Sequence, residues 1–281
     1  MTRPPDLADR ARLRHNRDRA RRIGPALFLH EHAAAEIEER LGEVNRRFTA
    51  PAIVTGFPEF WSRIRPDARM VEDAATLDLE AGAHDLVLHA MTMHWAADPV
   101  GQLVQCRRAL QPDGLMLAVL VGGRSLQELR AALAAAEAEV CDGLSPRVTP
   151  MGELRDMGAL LQRAGLALPV ADSVPLTASY ADLTALMHDL RAMGEGNALA
   201  DRHRAPAPRA LFDVAARHYA ARDSGADGRL RATFELVFLT GWAPAPDQPQ
   251  PLRPGSAAAR LADALGSVET PLPDKAPRHR D

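Results

Sequence analysis

At 281 residues, 46% hydrophobic and 25% charged, the chain can bury a full core as one large domain with appendages or as two small ones. A formal charge of −3 gives no whole-molecule attraction to phosphate backbones, so no nucleic-acid partner is expected. Cys106 and Cys141 form no Cys-x-x-Cys pair, which argues against a disulfide framework and against a thiolate metal site. No apolar run approaches the ~20 residues that span a bilayer.

Residues 6 to 47 read as helical, broken at Gly24-Pro25, and form an N-terminal arm over residues 1–50. Its arginine-rich stretch from Arg10 to Arg22 is interrupted by Asp18 and leads to no apolar core, so it reads as a solvated helix face rather than a secretory signal. Lys275 is the only lysine among many arginines, a bias expected of GC-rich bacterial coding. The expected setting is cytoplasmic, or peripheral to the inner membrane.

Ala52-Ile53-Val54-Thr55-Gly56 then suits the first strand of an open sheet, and Ala68 to Asp73 suits a further strand ending in two carboxylates. His84 to Met91 and Leu115 to Val121 are two continuous apolar runs. They are joined by a helical pattern from Pro99 to Leu110 and a Pro112-Asp113-Gly114 turn, which specifies neighbouring parallel strands connected by a right-handed crossover. Such sheets bind ligands at the carboxyl ends of their strands.

Beyond Val121, Ser125 and Glu128 have the spacing of a capping box at the start of a helix whose buried face is Leu126, Leu129, Leu133 and Ala136. Thr149-Pro150 predicts another helix start, with Gly165 closing that helix. Val170 to Thr177 reads as a strand. A helical insertion occupies the region near 180–221, and the alternating, aromatic run Ala232 to Trp242 is the last strand. A Pro-rich linker and tail fill 244–281.

Several motifs occur in this order: Met93-His94-Trp95-Ala96-Ala97-Asp98, Leu110-Gln111-Pro112-Asp113-Gly114, Gly122-Gly123-Arg124-Ser125-Leu126-Gln127-Glu128, Met193-Gly194-Glu195-Gly196-Asn197 and Gly241-Trp242. Together they resemble the S-adenosylmethionine-dependent methyltransferases of the complex I assembly factor 5 branch, relatives of the malonyl-carrier-protein methyltransferases. The resemblance covers Asp85 to Ala257. It implies an α/β fold: a Rossmann-like methyltransferase sheet, mostly parallel with a late antiparallel strand, helices on both faces, and the domain spanning 51–243. It also implies S-adenosylmethionine as cofactor and a protein substrate such as a respiratory complex I subunit. Eukaryotic relatives are thought to hydroxylate an arginine.

The first half departs from that family. Where a glycine-rich turn closes the first strand, this chain has Val54-Thr55-Gly56-Phe57-Pro58; Phe57 adds bulk and Pro58 removes a donor. Two βαβ units need ~60 residues, whereas Gly56 to Asp85 allows about one, so the second or the third strand is missing. The alternative to an enzyme is therefore a methyltransferase-fold scaffold that has lost its cofactor.

The residues expected to face a cofactor are Thr55, Gly56, Phe57, Glu72, Asp73, His89, Met91, His94 and Trp95. Those expected at a substrate rim are Arg124, Glu195 and Asn197. No metal site is expected: His84 and His89 lie five apart on a strand and face opposite sides, and His30 and His32 diverge on a helix. Asp85, ahead of its strand, reads as a structural hydrogen-bonder. Nothing in the chain marks a particular catalytic residue.

Overall fold

Every residue of Pro51–Thr55 (β1) and His84–Ala90 (β3) is buried, as strands covered on both faces must be. In the computed structural model, which describes residues 6–141, 143–249 and 266–267, β1 pairs in parallel with Arg69–Glu72 (β2) on one side and with β3 on the other. β3 pairs in parallel with Leu110–Val121 (β4). Leu230–Trp242 (β6) runs antiparallel between β4 and Ala167–Tyr180 (β5), giving the order β2-β1-β3-β4-β6-β5. The chain divides at Ala245, and residues 246–281 form a second unit; most of the expected linker and tail lies outside the described residues.

This order resolves which strand is missing. Arg69–Glu72 lies directly beside β1, with Glu72 level with Thr55, so it takes the second-strand position. Among the described residues no strand pairs with its outer edge.

Strand alternation divides the core in two. Ile53, Leu86, Leu88, Leu115, Leu117 and Phe238 pack on one face. They meet helices Phe28–Glu43 (α2), Pro58–Ile64 (α3), Gln127–Val140 (α5), Leu183–Ala192 (α7) and Arg209–Asp223 (α8). Ala52, Val54, Val87, Met116, Ala118 and Leu120 pack on the other, against Pro99–Ala109 (α4) and Leu154–Arg163 (α6). The first helix, Arg10–Ile23 (α1), is capped by Asp9 accepting from the Arg12 amide and ends at Gly24, whose φ of 95° suits glycine.

Three local expectations are corrected. Ser125 and Glu128 form no capping box: Ser125 accepts from the Glu235 amide, and Glu128 accepts from the Thr233 hydroxyl and amide, so both brace β6. α6 begins at Leu154 rather than at Thr149-Pro150, and Glu153 caps it with no side-chain bond. Pro112-Asp113-Gly114 is an irregularity inside β4 rather than a turn ahead of it: the pairing jumps from His84 with Leu110 to Leu86 with Leu115, and Asp113 takes a φ of 60°. Asp85 is structural, accepting from the Thr49 and Ala50 amides and the Thr49 hydroxyl.

Candidate functional site

β1 is followed on one side by β2 and on the other by β3, so the strand order reverses between β1 and β3. Ligands of open α/β sheets lie at the carboxyl ends of the strands at such a reversal. Two cavities open there.

The first, of about 660 Å³, is lined by Thr55, Gly56, Glu72 and Asp73 from the strand ends and by Arg10, Arg14, Arg17 and Arg21 from α1. These arginines recur at spacings of four, three and four, along one helix face. The expectation of a solvated face is therefore corrected: Asn16, Arg17 and Ala20 are buried. Arg17 binds the fully buried carboxylate of Asp73 at 2.8 Å, and Arg10 binds it at 3.0 Å. Burial opposes ionisation of Asp73, yet the two guanidinium groups outweigh it and hold the carboxyl below its ordinary range. Arg17 crowds Gly56 so closely that a Cβ there would lie 2.7 Å from its guanidinium carbon. Arg21 donates to the Gly56 carbonyl. The second guanidinium nitrogen of Arg17, Nη2, is buried without a partner among the described residues. Thr55 Oγ1 accepts from the Phe57 amide, and the buried Phe57 ring turns away to meet His30 edge-on, so Phe57, expected to face the cofactor, does not line this cavity.

The second cavity, about 240 Å³, lies on the other side of the reversal. Its walls are apolar, including Leu29, Leu129, Leu133, Met187 and Phe234, and its polar groups include His94, Trp95, Glu195 and Asn197. Trp95 Nε1 donates to Glu195 at 2.7 Å, and His94 Nε2 lies 3.1 Å from the same oxygen. Burial raises the cost of charge on Glu195, but His94, Arg17 and Trp95 together hold its carboxyl below the ordinary value. Residues expected on separate rims are thus brought into one group. Asn16 anchors their loop, donating to the Gly196 carbonyl at 2.8 Å.

Other expected residues lie elsewhere. His89 is buried on the opposite sheet face, its Nε2 2.6 Å from Gln102 and its Nδ1 3.2 Å from Thr92. Met91 is buried with a φ of 57°, its amide donating to Val119. Arg124 is exposed, its backbone amide donating to Glu235. Asn197 lines the second cavity but spends its amide on the Pro146 carbonyl. Arg17 and Asn16 were missed, because an arginine-rich helix gives no sign of what its face covers; the four-three-four spacing was the available signal. Among the described residues no group of three or more metal-ligating side chains converges.

A mostly parallel sheet ending in an antiparallel pair, with its ligand crevice between the first strand and the strand across the reversal, defines the Rossmann-like methyltransferase class. Residues 35–118 match the family described as a methyltransferase domain. Arginine-hydroxylase NDUFAF5 of Danio rerio is 32% identical over 233 residues, covering 83% of this chain and 70% of that protein. The Homo sapiens protein of the same name is 32% identical over 208 residues, covering 74% and 60%. A malonyl-[acyl-carrier protein] O-methyltransferase of Laribacter hongkongensis is 36% identical over 182 residues, covering 64% and 58%. The chain belongs to the S-adenosylmethionine-dependent methyltransferase family, in the branch of the NDUFAF5 proteins. It spans less than two thirds of the human protein.

Proposed function

We propose that this chain binds S-adenosylmethionine in the larger cavity and modifies a protein side chain held in the smaller one. The observation that carries the reading is that both cavities are lined from the carboxyl ends of the strands about the reversal, with Arg17, a wall of the larger one, acting electrostatically on Glu195 of the smaller. Gly56 gives close backbone approach, Glu72 is the exposed carboxylate level with Thr55 and suits a ribose, and the unpartnered Nη2 of Arg17 suits a carboxylate. When bound, the cofactor supplies a methyl group already activated on a sulfonium, so the residues around it mainly position the acceptor. Binding requires Arg17 to shift from its place over Gly56.

In the smaller cavity, an ionised Glu195 at an apolar wall favours an acceptor with a cationic, N–H-bearing head on an apolar stem. Arginine has that form, and the action on arginine in the names of the NDUFAF5 relatives is a second support. A respiratory complex I subunit is the proposed partner, and a bacterial cytoplasm, or the inner face of its membrane, is the proposed setting; among the described residues no helix is long and apolar enough to cross a membrane. The arm of residues 1–50 serves as the cover of the 51–243 domain.

Isothermal titration with S-adenosylmethionine and with its demethylated product tests the cofactor. A dissociation constant in the micromolar range is expected. Absence of heat at high micromolar ligand would overturn the reading and leave the scaffold alternative, in which the Asp73–Arg17 pair permanently fills the cofactor's place.

A further inference from the structure

We propose that His94 is the proton acceptor of the smaller cavity, with Glu195 and Trp95 as its positioning residues. This rests on the reading that the cavity holds the acceptor group. The 94–95 segment follows β3 at the strand reversal, and the His94 side chain is only 4% exposed. An ionised carboxylate only accepts, so the hydrogen between His94 and Glu195 sits on Nε2. In a neutral ring this leaves the lone pair on Nδ1, and Nδ1 is buried with no partner among the described residues. A second hydrogen there would be a buried donor without an acceptor, which is costly. Trp95 donates to the same oxygen of Glu195 and fixes the carboxylate that orients the ring. A base held by a carboxylate through one nitrogen, with the lone pair of the other left unengaged beside a cavity that the same residue lines, is the arrangement that general-base catalysis requires.

The substrate class is an N–H or O–H acceptor on an apolar stem. As its heteroatom forms the new bond to the methyl carbon, the carbon–sulfur pair stays with sulfur. The heteroatom's bond to hydrogen breaks, its electrons remain on the heteroatom, and the proton passes to Nδ1. The imidazolium so formed keeps its Nε2–H on Glu195, whose charge offsets the new one.

The charged and titratable groups around the ring are Glu195, bonded to it, Arg17, which acts on Glu195, the buried His30 and His89, and Arg147 and Arg191 on the cavity wall. Arg147 is bound to Glu137 at 2.6 Å.

The test uses the full chain labelled with 15N-histidine, the His94 signals being those lost in His94→Gln. With the ring neutral, a protonated Nε2 and an unprotonated Nδ1 are expected from the bond to Glu195, and butylguanidinium as probe should move the Nδ1 resonance more than the Nε2 resonance. A ring protonated on Nδ1, or an Nδ1 resonance unmoved while the Trp95 indole signal saturates, would overturn the proposal. His94→Gln supplies an amide near Nε2 and keeps the bond to Glu195, whereas His94→Asn supplies a polar atom near Nδ1. If His94 merely holds Glu195, the Gln variant binds the probe as the parent does. The proposal expects at least a tenfold loss in the Gln variant and the smaller loss in the Asn variant. These signals do not depend on cofactor, so a chain that gives no heat with S-adenosylmethionine can still show them.

Discussion

Replacing Asp73 by Asn removes the carboxylate that holds the helix over the sheet. Asp73 is fully buried and Arg17 is 6% exposed, so the substitution leaves a buried guanidinium without its counter-ion. Breaking a buried pair in this way costs about 3–5 kcal/mol. Arg10, a third exposed, adds little, because a solvated partner is worth at most ~1 kcal/mol. For a unit of this size each kcal/mol lowers Tm by about 2 °C, so a fall of roughly 6–10 °C is expected in calorimetry. Urea titration should show a lower midpoint with an unchanged slope. Adding Arg17→Met to Asp73→Asn removes the stranded charge and should recover most of the loss. The pH dependence has a definite sign. Asp73 is held below its ordinary value in the fold, so its contribution is complete above the ordinary carboxylate range and is lost as pH falls through the lower folded value. The parent should therefore lose more stability on acidification than the Asn variant. A single variant within ~1 kcal/mol of the parent would refute the reasoning, because a buried pair cannot be broken so cheaply.

Three other perturbations test other parts of the structure. His30 is buried, accepts from the Trp61 indole, and burial pushes its pKa down to about 4. Its contribution is complete above the unfolded value and is lost as pH falls from 6.5 to about 4, a pH-dependent loss of about 3 kcal/mol that should be absent from His30→Gln melts. Gly56→Ala places a Cβ against Arg17; as the clashing group is the end of a flexible side chain, a loss of about 1–2 kcal/mol is expected by urea titration, with a larger relative loss of cofactor affinity by calorimetry. Cys106 is buried and its thiol is pushed up to about 12, so a thiol reagent should label Cys141 in the native chain and reach Cys106 only after unfolding.

The strands β3 and β4 were legible because they are buried on both faces and write that burial as continuous apolar runs, and β6 because its apolar and aromatic residues alternate. His94 and Trp95 were legible too, since position after β3 places them at the ligand rim. What could not be read was pairing at a distance. Ser125 and Glu128 carry a local helix-start signal, but β6 offered them better partners 105 or more residues away. Glu72 and Asp73 could not be assigned to the second or the third strand until β2 was seen beside β1. The arginines of α1 have the composition of a surface helix, and only the carboxylate they cover gives them another role.

The missing third strand has a mechanical consequence at the rim of the sheet. Removing a strand turns its neighbour into an edge whose free amides and carbonyls can recruit another chain. Here the new edge is only four residues long and carries exposed charges at both ends, Arg69 and Glu72. So short and so charged a rim is a poor template for sheet-to-sheet aggregation, and the shortened fold therefore gains no sticky border.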